Sequence, residues 1–397
     1  MFETFELAPP DSILGLNEAF RKDSNPQKIN LSVGVYQDES GRTPILQSVK
    51  AAERRLLDEE QSKSYLSIDG LASYDRLVQE LLFGPSHELI AARRAVTLQA
   101  PGGTGALRVA ADLLKRKLPT ARVWCSQPTW ANHHSIFQAA DRQVGTYAYL
   151  DPAGTGLDFA ALKQSLESMS PGDAVVLHGC CHNPTGIDPS LAQWREIAAL
   201  LAQRRLLPIV DLAYQGLGEG LETDVAGLRE ICREVREVLV CSSYSKNFGL
   251  YSERVGALTI VAGSHLAAEA TLSHAKICVR TNYSNPPQHG AAIVATILGD
   301  AALRKLWEGE LAEMRERIHA VRHQFVFRMK VAAPQHDFSF IERQKGMFSF
   351  TRLTPLQVDQ LRTEYAIYVV SAGGRINVAG LTSGNLSRVC DAIAAVL

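Results

Sequence analysis

Residues 238–261 read VLVCSSYSKNFGLYSERVGALTIV, two apolar runs on either side of a polar segment that carries a lysine and an arginine eight positions apart. Short apolar runs bounded by polar residues are typical of buried strands. From about residue 95 such runs alternate with amphipathic segments, as in AVVLHG followed by SLAQWREIAALLAQRR. This alternation of strands with crossover helices predicts an α/β domain with a mostly parallel sheet flanked by helices, which binds ligands beyond the carboxyl ends of its strands.

The chain follows a different pattern from about Ala301. A long charged helical stretch is followed by short runs such as FSFTRL and AIYVVS and by a final helix. We therefore predict a large α/β domain over residues 43–310 and a smaller α+β domain formed by residues 1–42 and 311–397, with an N-terminal arm. The sequence has no repeat and no linker rich in Gly, Ser and Pro between them.

The composition indicates an ordinary globular protein. The 397 residues are 46% hydrophobic, and 41 basic against 42 acidic side chains give a formal net charge of -1. This balance provides no basic surface for nucleic acid or an anionic membrane. The start, MFETFELAPPDS, is acidic where a secretory signal is basic, and the seven scattered cysteines favour reduced thiols. We expect a cytoplasmic protein without a disulfide framework.

Five polar motifs follow predicted strands: PGGTGA (101–106), PTWANH (128–133), HGCCHNPTG (178–186), DLAYQG (211–216) and SSYSKNFGLYSER (242–254). Because parallel strands end at the same edge of their sheet, we expect these motifs to line one crevice. The glycines of PGGTGA precede an amphipathic helix, which favours either a phosphate held by backbone N–H groups or a plain tight turn. The motif has neither dinucleotide-binding nor P-loop spacing.

HGCCHNPTG contains the residue types of metal sites. Cys180 and Cys181 are adjacent, however, so in an extended segment their side chains point to opposite faces, and two-residue or four-residue ligand spacing is missing. We expect a strand end that leads into a turn, and no metal ion.

Several side chains in these motifs indicate a cofactor. Asp211 ends an apolar strand, where a carboxylate needs a cationic partner, either a surface side chain or a protonated ring nitrogen of a cofactor. Lys246 also follows a strand, where an amine that loses its proton readily can form an imine with an aldehyde. Ser243 and Arg254 are suited to phosphate, and Tyr214 provides a nearby phenol. An aldehyde with a phosphate and a protonated pyridine nitrogen is pyridoxal 5'-phosphate, the predicted cofactor.

The sequence resembles the class I aspartate and aromatic amino acid aminotransferases, a branch of the fold-type I pyridoxal-phosphate enzymes. Eleven motifs in order along nearly the whole chain carry the resemblance: SILGLNEAF, LSVGVYQDESGRTPIL, YLSIDG, PGGTGALRVAADLL, PTWANH, HGCCHNPTG, DLAYQG, SYSKNFGLYSERVG, VRTNYSNPPQHGA, GMFSF and GRINVAGL. The resemblance implies a homodimeric transaminase with a ping-pong mechanism, in which one amino acid leaves its amino group on the cofactor and a second oxoacid takes it away.

The resemblance also implies roles for single residues. Lys246 matches the lysine that holds the cofactor and moves the proton, Asp211 the acid that keeps the pyridine nitrogen protonated, and Tyr214 a phenol that bonds the cofactor's phenolic oxygen. The other expected cofactor contacts are Gly103, Thr104, Trp130, His133, His178, Asn183, Ser243, Arg254 and, from the neighbouring subunit, Tyr65.

Two arginines are expected to bind the substrate. Arg375 matches the arginine that grips the α-carboxylate through a two-pronged contact, with Gly34, Asn183 and Trp130 nearby. Arg280 matches an arginine that reaches across the dimer to the distal carboxylate of aspartate, glutamate or 2-oxoglutarate.

Neighbouring positions distinguish substrates within the family. Four of them carry the residue types of aspartate-specific members: Val35, Thr43, Thr104 and Asn285. Aromatic-accepting relatives tend to have Leu, Ile, Ser and Ser there, while Gln37 and Ser64 match neither pattern. We predict transfer of the amino group of L-aspartate to 2-oxoglutarate, with an aromatic amino acid aminotransferase as the alternative.

Two other functions fit the sequence less well. Ser243 and Lys246 form the S-x-x-K motif of serine acylases, but that motif lies at a helix start and requires a downstream K-T-G, which the sequence lacks. A non-catalytic relative would have lost catalytic side chains, whereas every expected position is filled by the expected residue type.

Overall fold

A computed structural model describes residues 1–7 and 14–397 of the chain. The predicted N-terminal arm and the motif SILGLNEAF fall partly on residues 8–13, which lie outside the described residues. The chain divides into two compact units. The larger is Pro44–Glu316, and the smaller combines Met1–Thr43 with Arg317–Leu397.

The described residues form eleven strands: β1 Ile29–Asn30, β2 Ala95–Pro101, β3 Val123–Gln127, β4 Val144–Ala148, β5 Ala174–His178, β6 Leu207–Leu212, β7 Val238–Ser243, β8 Val255–Val261, β9 Phe348–Phe350, β10 Ile367–Tyr368 and β11 Arg375–Asn377. The α-helices are α1 Leu14–Lys22, α2 Gln47–Glu59, α3 Ala72–Phe83, α4 Glu88–Ala91, α5 Gly102–Lys117, α6 Asn132–Gln138, α7 Phe159–Ser168, α8 Leu191–Arg204, α9 Ala226–Glu234, α10 His265–Asn282, α11 His289–Gly299, α12 Ala301–Ala332, α13 Pro355–Tyr365 and α14 Ser383–Val396. Short 3-10 helices span Phe2–Thr4, Thr223–Val225, Ser339–Arg343, Ala372–Gly374 and Val378–Gly380.

Seven strands of the larger unit form one sheet in the order β2-β8-β7-β6-β5-β3-β4. The pairs from β7 to β4 are parallel, and β8 is antiparallel to both of its neighbours. Every residue of β5, β7 and β8 is buried, as expected for apolar strands covered on both faces by helices. The predicted fold class, a mostly parallel sheet with flanking helices, is confirmed.

Helix α5 positions one side of the crevice. Its buried residues Leu107, Ala110 and Leu114 recur at helical spacing and pack in one core cluster with Leu98 of β2 and Ile209 of β6. This apolar face fixes the helix on the sheet, so its first turn stands at the carboxyl end of β2, where the glycine motif lies.

Strand register brings the predicted motifs to one edge of the sheet. His178 is the partner of Asp211 between β5 and β6, and Asp211 is the partner of Cys241 between β6 and β7. Ser243, at the end of β7, pairs with Gly256 of β8. The polar side chains after these strands therefore open on the same crevice, as parallel α/β sheets require.

The smaller unit has two short sheets. β1 pairs with β10 in parallel, and β9 pairs with β11 antiparallel. Its core includes Leu31, Phe325, Ile367, Ile376 and Ile393. Across the described parts of both units, none of the helices combines the length and apolar character needed to cross a membrane.

Candidate active site

Asp211 is a buried carboxylate at the carboxyl end of β6. Its Oδ2 lies 2.9 Å from Nε2 of His133, which follows β3 on the neighbouring α6. Burial raises the pKa of Asp211, but the hydrogen bond and charge of His133, together with Lys246, outweigh it and hold the pKa below its usual range. Asp211 is therefore a negative charge held ready for a cationic partner in the crevice.

Thr129 connects two histidines behind this carboxylate. Its Oγ1 lies 2.8 Å from Nδ1 of His133 and 3.1 Å from Nε2 of His178. Because a carboxylate only accepts, His133 donates to Asp211 through Nε2, while its Nδ1 shares a hydrogen bond with the Thr129 hydroxyl. Thr129 also bonds His178, whose pKa burial lowers to about 3 so that its ring stays neutral. The chain of hydrogen bonds ends on Asp211.

A further histidine lies next to His178, with ring centroids 4.2 Å apart. His182 is stacked on Tyr149 with ring centroids 3.9 Å apart, and its ring nitrogens contact Ser126 and Thr185 at 2.9 Å and 2.8 Å. Burial lowers the pKa of His182 well below its usual range. Sequence reasoning did not single out Thr129 or His182, although both lie in motifs it selected, PTWANH and HGCCHNPTG.

Lys246 follows β7 and is only partly exposed. Its Nζ lies 4.9 Å from the ring centroid of Tyr214, a buried residue after β6. Burial lowers the pKa of the Lys246 amine to about 8; Asp211 opposes this shift and Arg254 adds to it. About a tenth of this amine is therefore unprotonated at pH 7, against less than about a thousandth for an unperturbed lysine, which favours a nucleophilic role.

The glycine motif and the segment after β7 form an anion cradle. α5 begins at Gly102 without a side-chain cap, so no capping side chain occupies the N–H groups of its first turn. A Cβ on Gly102 would clash with the Arg254 guanidinium, and one on Gly103 would lie 3.1 Å from the Ser243 Cβ. Ser245, which sequence reasoning overlooked, accepts 3.3 Å hydrogen bonds from Ser243 and Arg254. Backbone N–H groups, hydroxyls and a guanidinium suit a phosphate.

Three other predicted cofactor contacts lie in the larger unit. Asn183 follows β5 and is buried. Trp130 is partly buried, with its indole edge-on to His133 at a centroid distance of 5.3 Å. Thr104 belongs to the first turn of α5. They remain predicted cofactor ligands that share the sheet edge with Asp211.

The remaining predicted residues lie elsewhere. Tyr65 is 94% exposed, and Arg280 is exposed at the end of α10, bonded to Ser284. In the smaller unit Arg375 donates a 2.5 Å hydrogen bond to the Ser32 carbonyl and stacks 4.3 Å from the Phe348 centroid.

Gly34, in the same unit, is close to that ring as well. A Cβ on Gly34 would lie 2.6 Å from the Phe348 ring, so the backbone approaches the ring as only glycine allows. The predicted carboxylate-binding elements Gly34 and Arg375 thus share one aromatic neighbour within the smaller unit.

The expected geometry of the adjacent cysteines was wrong. Cys181 has a φ of 52°, outside the extended region, and the two Sγ atoms and an Asp224 oxygen lie within 4.8 Å of one another. The Asp224 carboxylate accepts backbone N–H bonds from Gly216, Gly218 and Glu219 at 2.8–2.9 Å. Contact with Cys181 and burial raise the pKa of Cys180 well above its usual range, so this thiol stays protonated. Through its hydrogen bonds, the Asp224 carboxylate of this cluster stabilises the loop formed by residues 216–219.

Taken together, the larger unit fits pyridoxal 5'-phosphate. The ionised Asp211 suits a protonated pyridine nitrogen, the cradle of Gly102, Gly103 and Arg254 suits the phosphate, and Lys246 offers an amine of lowered pKa to the aldehyde. Tyr214 adds a phenol beside that amine. The seven-stranded sheet with this site at its carboxyl edge defines a fold-type I pyridoxal-phosphate enzyme.

The comparison with known proteins specifies the family. The model of the class I and II aminotransferases matches residues 26–393, and the chain belongs to this family. It is 53% identical over 397 residues to the aspartate aminotransferase of Salmonella typhi, with both chains covered completely. It is 46% identical to the aromatic-amino-acid aminotransferase of Pseudomonas aeruginosa over 388 residues, 98% of this chain and 97% of that one.

A solved structure agrees with these relatives. The aromatic-amino-acid aminotransferase of Burkholderia pseudomallei, described as covalently bound to pyridoxal phosphate, superposes with a TM-score of 0.97 at 50% identity over 100% of this chain and 99% of that chain. The predictions of family, of fold and of a pyridoxal-phosphate-dependent transaminase are confirmed. The roles of single residues stay predictions.

Proposed function

We propose that the chain transfers the amino group of L-aspartate to 2-oxoglutarate, giving oxaloacetate and L-glutamate, by a ping-pong mechanism. The observation that carries the proposal is the cluster of Lys246, Asp211 and the anion cradle at one sheet edge. Aspartate as the donor is supported by relatives named aspartate aminotransferase at 53% identity and by the residue types at Val35, Thr43 and Asn285.

The side chains have distinct tasks in this reaction. When bound, the cofactor supplies an aldehyde that takes up the amino group and a ring that accepts electrons from the α-carbon. Lys246 would take the proton from the substrate's α-carbon and deliver it to the cofactor carbon that carried the aldehyde, and burial prepares its amine for this by lowering its pKa to about 8. Asp211 would pair as a carboxylate with the protonated ring nitrogen, and the hydrogen bonds from His133 through Thr129 to His178 keep this carboxylate oriented.

Two arginines are assigned to the dicarboxylic substrate. Arg375 pairs with the α-carboxylate, and its guanidinium is held by the Ser32 carbonyl and the Phe348 ring. Arg280 pairs with the distal carboxylate of a neighbouring subunit's substrate. Its exposure at the end of α10 leaves the guanidinium accessible to a ligand held by another subunit.

We also propose a homodimer in which Tyr65 and Arg280 complete the site of the neighbouring subunit. The 94% exposure of the Tyr65 side chain supports this, since a phenol that binds phosphate in its own chain would not lie in solvent. Mixing inactive Lys246→Ala and Arg280→Ala subunits tests it, because mixed dimers regain one intact site each, about a quarter of all sites after random exchange. No recovery after subunit exchange would contradict a shared site.

A cytoplasmic location is part of the proposal. The seven cysteines are all free and buried, which agrees with a reducing compartment. Fractionation of cells that express the full chain, with the protein found outside the cytoplasm, would refute this point.

An aromatic amino acid donor is the second candidate. Structures named aromatic aminotransferases resemble the chain at 50% and 45% identity, and Gln37 and Ser64 match neither substrate pattern. The test is the absorbance of the cofactor band of purified protein after separate additions of aspartate, phenylalanine and tyrosine without an oxoacid. Efficient conversion by aspartate alone supports the proposal; equal or faster conversion by phenylalanine or tyrosine supports the second candidate.

A further inference from the structure

Lys246 and Tyr214 stand on different segments, which follow β7 and β6, and one hydrogen bond joins these segments next to both residues. The Asn247 amide nitrogen donates to the Gln215 main-chain carbonyl at 3.1 Å. Asn247 directly follows Lys246, and Gln215 directly follows Tyr214. The bond therefore ties together the immediate neighbours of the lysine and of the phenol.

Asn247 itself is firmly held. It is 1% exposed, and its main-chain carbonyl accepts a 2.8 Å hydrogen bond from the Trp307 indole. The same indole is stacked on Phe248, with ring centroids 4.3 Å apart and planes 13° from parallel. The segment that carries Lys246 is thus fixed against α12 within the larger unit.

The opposite segment is fixed as well. The Gln215 side-chain amide donates 3.1 Å bonds to the carbonyls of Leu81 and Leu221. The next residues of this segment are held by Asp224, which accepts from Gly216 and Gly218. Two anchored segments joined by one amide leave little freedom in the relative position of Lys246 and Tyr214.

If only the stability of the fold mattered, an apolar side chain would be favoured over an amide at position 247. The Asn247 Oδ1 is buried and has no hydrogen-bond partner among the described residues, which costs free energy that an apolar side chain of the same size would not lose. The orientation of the amide is unambiguous, because the Gln215 carbonyl requires a donor. A polar group kept at this cost points to a role beyond packing.

We propose that Asn247 is a positioning residue that sets the distance and angle between the Lys246 amine and the Tyr214 phenol. This inference rests on the proposed function, since it concerns the same site. Asn247 acts through Lys246 and Tyr214. Its loss should slow the proton transfer by Lys246 and weaken the expected hydrogen bond from Tyr214 to the cofactor's phenolic oxygen, a bond that stabilises the unprotonated lysine–cofactor imine. Binding of the substrate carboxylates by the arginines should stay the same.

The test compares Asn247→Leu with the wild-type holoenzyme. We expect the half-reaction rate at saturating aspartate to fall about tenfold to a hundredfold, as a small misplacement of reacting groups does, with an aspartate dissociation constant within about twofold. In holoenzyme without substrate, the pH midpoint of the cofactor absorbance should rise by about 0.5 unit. The reason is that the Tyr214 phenol would no longer stabilise the unprotonated lysine–cofactor imine as strongly.

Two further variants separate positioning from stability. Tyr147→Phe removes another buried bond to a main-chain carbonyl, from Tyr147 Oη to Val176, and should lower the melting temperature without moving the absorbance midpoint. Trp307→Phe keeps the stack on Phe248 but removes the indole donor, so it should shift the midpoint in the same direction as Asn247→Leu, by less. This milder variant covers the case in which Asn247→Leu fails to fold.

The outcomes are distinct. An unchanged midpoint and rate in Asn247→Leu and Trp307→Phe, with an active wild type, overturns the positioning role and leaves the proposed function intact. A midpoint shift of the same size in Tyr147→Phe also overturns it, because the readout would then follow stability. A wild-type protein that takes up no cofactor overturns both.

Discussion

Nε2 of His133 lies 2.9 Å from Oδ2 of Asp211, and the other ring nitrogen of His133 lies 2.8 Å from the Thr129 hydroxyl. His133 therefore connects the Asp211 carboxylate, through the Thr129 hydroxyl, to His178. Because Asp211 is buried, its orientation depends on these bonds rather than on solvent. The contribution of His133, Thr129 and His178 can therefore be tested by substitution, like that of the site residues themselves.

Thr129→Val should slow the half-reaction about five- to tenfold, the effect of losing a bond worth about 1 kcal/mol that orients a reacting group. The hydroxyl that joins His133 to His178 is removed, and two buried ring nitrogens lose their partner. Thr129→Ser is the matched control and should stay close to wild type, since it keeps the hydroxyl. The measurement is the single-turnover rate with aspartate; equal rates for Val and Ser variants would show that the hydroxyl is not needed.

Cofactor uptake should depend on pH through Lys246. Burial lowers the pKa of this amine to about 8, and only the unprotonated amine attacks an aldehyde. The rate at which cofactor-free protein binds pyridoxal 5'-phosphate should therefore rise between about pH 7 and 9 and level off above. With an unperturbed lysine, this rate would keep rising up to the usual lysine pKa of about 10.4. Stopped-flow absorbance at fixed cofactor concentration measures it. A rate still climbing at high pH would contradict the lowered pKa.

Gly102→Ala should weaken cofactor binding at least about tenfold, or about 1.4 kcal/mol. The added Cβ would meet the Arg254 guanidinium, and the backbone at Gly102 has a φ of 75°. Gly84→Ala is the matched control: Gly84 has a φ of 92° with nothing within 4 Å of an added Cβ, so it suffers the backbone strain without the clash. Titration of cofactor-free protein measures both affinities. Similar affinities for the two variants would mean that the cradle does not hold the phosphate.

The sequence predicted those parts of the site that depend on strand ends. Asp211 and Lys246 each follow an apolar run, and the parallel order of β6 and β7 brings such positions to one edge whatever the details of packing. The anion cradle was predictable for the same reason, although PGGTGA alone left a plain turn open. Family resemblance then supplied the roles of Asn183 and Arg375, which spacing alone does not indicate.

Contacts between side chains could not be predicted from the sequence. Thr129 and Ser245 join the site because rotamers and register turn their hydroxyls toward His133 and Arg254, and no local pattern encodes that. The adjacent cysteines were expected on opposite faces because alternation assumes an extended backbone, and the φ of 52° at Cys181 breaks the assumption. The end of the larger unit at Glu316 lies inside the continuous helix α12, where composition does not change.

The central claim is that Lys246 carries the cofactor. The direct measurement is reduction of the purified holoenzyme with borohydride, which makes the lysine–cofactor bond permanent, followed by proteolysis and mass spectrometry of the peptides. We expect a single labelled peptide that contains YSKNFGLY, with the added mass on Lys246, and no such label in Lys246→Ala. Label on a different lysine, or none in protein saturated with cofactor, would contradict it.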